Sequence, residues 1–279
     1  MPELTTLDGL SINYEAWGDG ESPAVVLLHG FTSDLRMWAP VMEPLSRDYR
    51  PIAMDLRGHG RTSAPEDLDA YTMDAYRADL LSLLDALEID VCALVGCSFG
   101  GMIAAHFAVE HPERIAGLVL SDASAAFEHD QYDDSYRKRE AVIAAQEAIV
   151  ERFGTAELGK RAAADVADTF LAEGLRKRYA RMSREGYLGA ARVRRERPNV
   201  LPMLRDKLTM PVMVCTGTDD HVHGASLVMA DHIESPRVAI FRDTGHGIPA
   251  RRPEAFADTI LQFFSDIEED RPIGGQRTV

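Results

Sequence analysis

The residues with the clearest chemical potential are a serine, a histidine and a pair of aspartates in three glycine-marked segments. Ser98 lies in the pentapeptide Gly96-Cys97-Ser98-Phe99-Gly100, after a valine-rich run that predicts a buried strand and before residues 102–109, which predict a buried helix. A strand that turns directly into a helix needs small residues around the turn, and it exposes the central hydroxyl above the carboxyl end of the sheet. The free N–H groups of the helix start can stabilise negative charge there. The pattern therefore predicts a nucleophile.

A serine nucleophile needs a general base, and the nine histidines of the chain are the candidates. His246 lies in the glycine-flanked segment Thr244-Gly245-His246-Gly247, between the last strand-like run of the sheet and the last predicted helix. That position places it at the same carboxyl edge of the sheet as Ser98. We therefore predict that His246 is the base. The histidines for which a structural role is expected instead are His29, His59, His106 and His111.

The base in turn needs a carboxylate that orients its ring. Along the chain we expect this acid to lie between the nucleophile and the histidine. The segment Gly217-Thr218-Asp219-Asp220 follows the strand-like run that contains Cys215, and both aspartates are chemically capable of the role. Asp122, just beyond the strand predicted at residues 115–120, is the next candidate. From the residues alone, the choice of acid stays open.

The stretch from Asp219 to His223 also contains two histidines, and histidines with carboxylates are typical ligands of zinc. These histidines lie two residues apart in a predicted loop, and no remote cluster with metal-ligand spacing accompanies them. We expect solvated loop residues here, and neither a metal nor a cofactor is predicted.

A further loop is expected to stabilise an oxyanion. His29-Gly30-Phe31 comes directly after the apolar run at residues 24–28, and its glycine allows the backbone to approach a substrate. The second donor of an oxyanion hole is the N–H group that follows the nucleophile. We therefore assign the two donors to the backbone N–H groups of Phe31 and Phe99.

Strand-like and helical segments alternate through most of the chain, and this alternation predicts a parallel sheet with helices on both faces. An antiparallel hairpin is predicted before it, because two strand-like runs flank the tight-turn dipeptide Asp8-Gly9. In the polar loop at residues 55–62, Asp55 and Arg57 are expected to pair and brace the backbone. Residues 265–279 are polar and are expected to form a loose tail.

Residues 124–209 differ in kind from the rest of the chain. They contain no strand-like run, and amphipathic helices are predicted at residues 141–153, 162–172 and 175–184. Residues 126–209 carry 17 Lys and Arg against 14 Asp and Glu, so their charge is about +3 in a protein of net charge −15. We predict that residues 124–209 are a helical domain inserted into a core of residues 1–123 and 210–279.

The composition bounds the class of protein. With 279 residues, of which 46% are apolar, the chain can bury a large α/β core. No run of 18 apolar residues and no signal-peptide pattern occurs, so we expect no membrane association and a cytoplasmic location. The net charge of −15 argues against nucleic acid as a partner. The three cysteines, Cys92, Cys97 and Cys215, imply no disulfide framework, and nothing in the sequence specifies an oligomeric state.

Together these motifs resemble those of the α/β-hydrolase superfamily over about residues 4–264. The resemblance is carried by His29-Gly30-Phe31, residues 55–60, residues 96–101, His111-Pro112-Glu113-Arg114, residues 217–220 and Gly245-His246. In the family's G-x-x-D pattern the acid aligns with Asp220, so the resemblance implies Asp220 rather than Asp219. It also implies a doubly wound, mostly parallel sheet of eight strands, with a helical cap between the sixth and seventh core strands.

Within the superfamily the chain is most similar to the carboxylesterase and 3-oxoadipate enol-lactonase group. The segments that carry this closer similarity are Gly189-Ala190-Ala191, Arg197-Pro198 and Met210-Pro211-Val212. Dehalogenases and epoxide hydrolases of the family carry aspartate where this chain has Ser98, which argues against those activities. Enol-lactonases commonly have a tryptophan in the cap, whereas Trp17 and Trp38 lie outside it here, so a general esterase is favoured.

The resulting hypothesis is a cofactor-free serine carboxylesterase that acts on small esters or lactones through an acyl-enzyme on Ser98. Enol-lactone hydrolysis, C–C bond hydrolysis and perhydrolysis reuse the same site and stay open as alternatives. A ligand receptor with little turnover is the alternative from a different class. The basic residues of the insertion would favour a substrate that bears a carboxylate. Because substrate pockets are lined mostly by apolar side chains, we nevertheless expect short neutral esters to be preferred.

Overall fold

The computed structural model describes residues 3–6 and 9–279, and their strands form one sheet. The strands in chain order are β1 Glu3–Thr5, β2 Ser11–Ala16, β3 Ala24–Leu28, β4 Arg50–Met54, β5 Cys92–Cys97, β6 Ile115–Ser121, β7 Val212–Gly217, β8 Arg237–Phe241 and β9 Gly275–Thr278. Their order across the sheet is β1-β2-β4-β3-β5-β6-β7-β8-β9.

Eleven α-helices connect or flank these strands in the part of the chain that the structure describes. They are α1 Ala39–Leu45, α2 Met73–Ala86, α3 Phe99–Glu110, α4 Asp134–Phe153, α5 Thr155–Ala162, α6 Thr169–Ala180, α7 Arg184–Glu196, α8 Leu201–Lys207, α9 His223–Asp231, α10 Ile248–Arg251 and α11 Pro253–Glu268. Among the described residues, no helix combines the length and the apolar character that crossing a membrane requires.

Strand directions confirm the predicted mostly parallel, doubly wound sheet. β1 and β2 form the antiparallel hairpin, although Leu7, the end of the first predicted strand, and Asp8 of the predicted turn lie outside the described residues. β2 is antiparallel to β4, and all pairs from β4 to β9 across the sheet are parallel. The carboxyl ends of β3, β5, β7 and β8 therefore meet at one edge, where an open α/β sheet binds ligands.

Apolar packing covers both faces of the sheet because successive strand residues point to opposite sides. In β3, Val26 and Leu28 join one buried cluster, which α2 and α3 complete. Val25 and Leu27 join the other cluster, which α1 and α11 complete. A strand covered on both faces has to be apolar throughout, as the unbroken run of β3 is.

The carboxyl-terminal residues correct one prediction. They are not a loose tail: α11 continues to Glu268, and β9 pairs with β8, with Gly275 opposite Arg237. The sheet therefore has nine strands rather than eight. Edge strands expose unpaired backbone groups, and β9 satisfies those of β8. Asp266 forms ion pairs with both Arg237 at 2.7 Å and Arg271 at 2.6 Å, and it thereby ties the end of the chain to this edge.

Five helices, α4 to α8, lie between β6 and β7, where the inserted segment is predicted; its status as a separate domain stays a prediction. The predicted helix at residues 162–172 is wrong, because α5 ends at Ala162 and α6 begins at Thr169. The Asp168 side chain accepts hydrogen bonds from the N–H groups of Phe170 and Leu171, at 2.8 Å and 3.0 Å. Such an N-cap starts a new helix, which alanine-rich periodicity does not reveal.

The polar loop at residues 55–62 is braced, but not by the predicted pair. Arg57 donates two hydrogen bonds to Asp79 on α2, at 2.9 Å and 2.7 Å, and both side chains are buried. Asp55 instead accepts from the N–H groups of Leu35 and Arg61, at 2.7 Å and 2.8 Å. Since Arg57 and Asp79 are far apart in sequence, spacing did not indicate their partnership.

Removing the acid of this buried pair is expected to destabilise the protein strongly. Asp79→Ala leaves the Arg57 guanidinium buried without its carboxylate, so we expect the free energy of unfolding to fall by about 3 kcal/mol or more. Asp85→Ala is the matched control, since its pair with Arg114 at 2.9 Å is largely exposed on the Asp85 side, and we expect a loss of at most about 1 kcal/mol. Urea unfolding of the three proteins measures both changes. Equal losses would contradict the role given to the buried pair.

Candidate active site

Ser98 lies in the sharp turn that the sequence predicts, between β5 and α3. Its backbone has a φ of 54° and a ψ of −112°, a conformation that is uncommon for residues other than glycine. A Cβ at Gly96 would lie 2.4 Å from the Gly100 carbonyl oxygen, and one at Gly100 would lie 2.2 Å from that of Leu28. Only glycine fits at these two positions, because the strand and the helix approach each other so closely.

Three side chains from three loops meet at the carboxyl edge of the sheet. His246 Nε2 lies 2.9 Å from Ser98 Oγ, and His246 Nδ1 lies 3.0 Å from both carboxylate oxygens of Asp220. Ser98 follows β5, Asp220 follows β7 and His246 follows β8. Asp219 is exposed and receives a hydrogen bond from the Thr218 hydroxyl instead. The structure thus brings together the three residues predicted as catalytic, and it places Asp220 rather than Asp219 beside the histidine.

Burial sets the charge of the groups around His246. The Asp220 side chain is fully buried, which by itself would raise its pKa, but the hydrogen bond and charge of His246 outweigh burial and hold this pKa at about 2. His221 packs on His246 with ring centroids 4.6 Å apart. Burial, together with the charges of His246, Arg139 and Arg194, lowers the pKa of His221 to about 4. Near neutral pH, Asp220 is therefore an anion and His221 is neutral.

The loop after β3 passes directly beside the serine. A Cβ at Gly30 would lie 3.3 Å from the Ser98 Cβ, so this glycine permits the close approach that the sequence suggested. Phe99 is the first residue of α3, where an N–H group has no partner within the helix. In the described part of the chain, neither the Phe31 nor the Phe99 N–H donates to a backbone carbonyl of another loop. Both predicted oxyanion donors are accordingly available.

A cavity of about 260 Å³ opens onto Ser98 and His246. Two arginines line it, Arg178 from α6 and Arg251 from α10. Arg178 donates to the carbonyl oxygens of Thr32 and Phe31, at 2.8 Å and 3.1 Å, and Arg251 donates to that of His246, at 2.8 Å. Neither has an ion-pair partner among the described residues. The sequence analysis singled out neither arginine, and the excess of basic residues in the insertion is the only sequence signal for Arg178.

The other candidate histidines have structural positions, as predicted. His29 is fully buried; its Nδ1 lies 2.8 Å from the Gly30 carbonyl oxygen, and its Nε2 accepts from the Leu56 N–H at 3.0 Å. His59 Nδ1 lies 3.0 Å from the Arg57 carbonyl oxygen. Burial is the main cause that lowers the pKa of His29 to about 4 and those of His59 and His106 to about 3. These three rings are neutral in the folded protein.

Three potential metal ligands lie close together at the site. Asp220, His221 and His246 offer ligand atoms that all lie within 4.8 Å of one another. However, His246 Nδ1 and Asp220 are hydrogen-bonded to each other, and His246 Nε2 faces Ser98, so a bound cation would compete with these contacts. The arrangement suits proton transfer better than metal binding, and the preference against a metal stays a prediction.

Fold and site together define the class of the protein. The family model described as the alpha/beta hydrolase fold matches residues 23–250. The chain therefore belongs to the α/β-hydrolase family.

Individual comparisons agree with this assignment. The chain is 25% identical over 257 residues to 3-oxoadipate enol-lactonase 2 of Acinetobacter baylyi, covering 91% of this chain and 93% of that one. A solved structure from a study of carboxylesterases of Nitrososphaera gargenis superposes with a TM-score of 0.84 at 25% identity, covering 96% of this chain and 100% of that one. Epoxide hydrolase 4 of Mus musculus is 38% identical, but only over 112 residues, which are 40% of this chain and 31% of that protein. The chain thus matches less than a third of that relative's length.

The buried histidines predict loss of stability in acid. Unfolding restores their ordinary pKa of about 6.5, so below that pH the unfolded chain binds more protons than the folded one. We expect the free energy of unfolding to fall between about pH 7 and pH 4, with about 2 kcal/mol lost for each of His29, His59 and His106 at pH 5. Urea unfolding at a series of pH values measures the slope.

His106→Leu tests the origin of this effect, because it removes one buried ring and keeps an apolar side chain of similar size. Its stability should fall less steeply between pH 7 and pH 5 than that of the parent protein. His111→Leu is the control, since the His111 side chain is 31% exposed. If the two variants keep the same slope, the buried ring does not cause the acid sensitivity.

Proposed function

We propose that the protein is a serine hydrolase that cleaves small carboxylic esters through an acyl-enzyme on Ser98. One observation carries the proposal: Ser98 Oγ, His246 and Asp220 form a continuous hydrogen-bonded series with contacts of 2.9 Å and 3.0 Å. A histidine held in this way can take a proton from a hydroxyl and keep its tautomer while doing so. The relatives named as an enol-lactonase and carboxylesterases support a hydrolytic reaction.

The reaction follows from the positions of these groups. Ser98 Oγ attacks the ester carbonyl carbon while its proton passes to His246 Nε2, and the N–H groups of Phe31 and Phe99 stabilise the oxyanion. Collapse breaks the bond to the leaving alcohol, which receives the proton from His246. Water then attacks the acyl carbon and gives a proton to His246. His246 passes this proton to Ser98 Oγ as the bond between Oγ and the acyl carbon breaks, which releases the acid and restores Ser98. Asp220 stabilises the imidazolium formed in both steps.

Ser98→Ala and His246→Ala are expected to lower the kcat for p-nitrophenyl butyrate by a factor on the order of 10³ or more, with the fold retained. Asp220→Asn should also lower it strongly, because the amide cannot hold the productive tautomer of His246. Asp219→Asn is the matched control and should keep full activity, since its side chain points away from the site. Steady-state kinetics with circular dichroism as the folding check measures this.

The same variants distinguish a catalyst from a ligand-binding protein with little turnover, and they test which aspartate is the acid. If the parent protein binds an ester but turns it over no faster than Ser98→Ala, the protein is a binding protein rather than a catalyst. If Asp219→Asn is as impaired as Asp220→Asn, the assignment of the acid is wrong.

A second candidate within the same mechanism is hydrolysis of esters or enol-lactones that carry a carboxylate. The observation that favours it is the placement of Arg178 and Arg251, without ion pairs among the described residues, in the cavity beside Ser98. The charges of Arg139 and Arg194 also act on His221, and of these two arginines only Arg194 forms an ion pair with a described residue, Glu140 at 2.6 Å. This surplus supports an anionic substrate, which is the opposite of the preference expected from sequence.

Monoethyl succinate and ethyl butyrate test the charge preference, because the first replaces a terminal methyl group by a carboxylate. We expect a higher kcat/KM for monoethyl succinate, and an advantage that shrinks as salt rises, because ions screen the arginines. Arg178→Gln should lower kcat/KM for the anionic ester by about tenfold and change the neutral ester much less.

Arg176→Gln is the matched control for this substitution. Arg176 lies on the same helix, is paired with Glu173 at 3.5 Å and does not line the cavity. It should leave both esters unaffected. An equal loss on both esters in Arg178→Gln would show that Arg178 braces the Phe31 loop instead of binding the substrate.

A further inference from the structure

Asp122 is a buried carboxyl at the site that the proposed reaction does not use. It follows β6 directly, its side chain has no exposed surface, and its φ is 52°. A non-glycine residue with positive φ carries strain that surrounding contacts must offset. One such contact is the hydrogen bond that the Asp122 N–H donates to the Cys215 carbonyl oxygen at 2.9 Å. The position of this carboxyl is therefore strongly determined.

One oxygen of Asp122 holds the loop that carries the histidine. Its Oδ2 accepts from the Ile248 N–H at 2.9 Å and from the Ser121 hydroxyl at 2.9 Å, and the Cys97 Sγ lies 3.9 Å away. Ile248 is the first residue of α10, two residues after His246. Asp122 thus fixes the backbone just beyond the base, although it does not contact the imidazole.

The other oxygen has no donor to accept from. Asp122 Oδ1 is buried, and no donor lies within hydrogen-bonding distance of it in the described part of the chain. Its neighbour is the carboxyl group of Asp220, and the two buried carboxyl groups are close enough for each to perturb the pKa of the other. Ionised carboxyl groups only accept hydrogen bonds, so two of them in contact need a proton between them.

The surroundings decide which carboxyl holds that proton. Asp220 accepts from His246 Nδ1 at 3.0 Å and from the Val222 N–H at 3.1 Å, and these donors stabilise its charged form. Asp122 faces the thiols of Cys97 and Cys215, whose pKa values burial raises, and no described cation pairs with it. Burial and the adjacent Asp220 carboxylate raise the pKa of Asp122 well above its usual range.

We propose that Asp122 is a protonated positioning residue, whose Oδ1–H donates a hydrogen bond to Asp220 while Oδ2 holds the Ile248 N–H. One neutral carboxyl then links the acid to the loop of the base and keeps both in register with Ser98. The positioning role rests on the proposed function, since it takes Asp220 and His246 as the working pair. The protonated state does not depend on turnover and can be tested without it.

The protonated state is tested by infrared difference spectroscopy at pH 7 in the Ser98→Ala protein. A protonated carboxyl has a carbonyl stretch that a carboxylate lacks, so adding Asp122→Asn should remove one such band. Adding Asp219→Asn, which changes an exposed aspartate next to Asp220, should remove none. If Asp122→Asn removes no protonated-carboxyl band, the proposal is overturned, whatever the activity of the parent protein.

Positioning is tested by kinetics on p-nitrophenyl butyrate. Asparagine can donate to Asp220 and accept from Ile248, and it tolerates positive φ. We therefore expect Asp122→Asn to keep kcat within about threefold and Asp122→Ala to lose about thirtyfold, with similar KM values, since a hydrogen bond to a charged group is lost. Equal kcat values in the two variants, with both folded, would contradict a positioning role.

The pH dependence of kcat/KM gives a readout that a merely structural role would not move. If Asp122 is neutral, Asp122→Asn changes no charge, and the acid limb should stay within about 0.3 pH units of the parent. If Asp122 were ionised, the substitution would remove a negative charge that favours the imidazolium, and the limb would move to lower pH by about one unit. Such a shift would overturn the proposal even if Asp122→Asn remained active.

Discussion

The close approach of β5 and α3 around Ser98 is the constraint on which the site depends. Backbone atoms leave no room for a Cβ at Gly96 or Gly100, and Ser98 takes a φ of 54° to make the turn. As a result, the hydroxyl projects beyond the carboxyl edge of the sheet, and the first N–H of α3 stays free to donate to an oxyanion. The parallel sheet adds the remaining groups, because β3, β7 and β8 end at the same edge as β5 and their loops carry Phe31, Asp220 and His246.

Burial and hydrogen bonding decide which side chains at this edge of the sheet are charged. Asp220 keeps its charge because His246 compensates it, whereas the buried rings of His29 and His59 stay neutral because burial outweighs the attraction of the Asp34 and Asp55 carboxylates. Asp122 and Asp220 are neighbouring buried carboxyl groups, and their protonation behaviour differs because His246 hydrogen-bonds to Asp220. Outside this centre, two arginines line the cavity of a protein whose net charge is −15, so local and overall charge have opposite signs.

Local sequence patterns predicted most of the strands and helices. The wrong predictions concern residues whose partners in the structure are distant in sequence. The tail became β9 because β8 offered an open edge, and nothing within residues 265–279 encodes that edge. Arg57 paired with Asp79 rather than Asp55 because α2 passes beside the loop. In each case the prediction used neighbours in sequence, whereas the structure used neighbours in space.

The sequence by itself determined the family motifs, the alternation of strands and helices, and the identity of Ser98, His246 and the Asp219-Asp220 pair as candidates, because each follows from local residue spacing. Its family resemblance further indicated Asp220. Only the tertiary structure decided which aspartate lies 3.0 Å from His246, that Arg178 lines the cavity beside Ser98, and that Asp122 accepts from the Ile248 N–H in the loop of His246. The physical reason is that hydrogen bonds, burial and charge pairing depend on distances in space between residues that lie 26 to more than 100 positions apart in sequence. The sequence does not reveal these distances, because it does not show in which direction each loop runs.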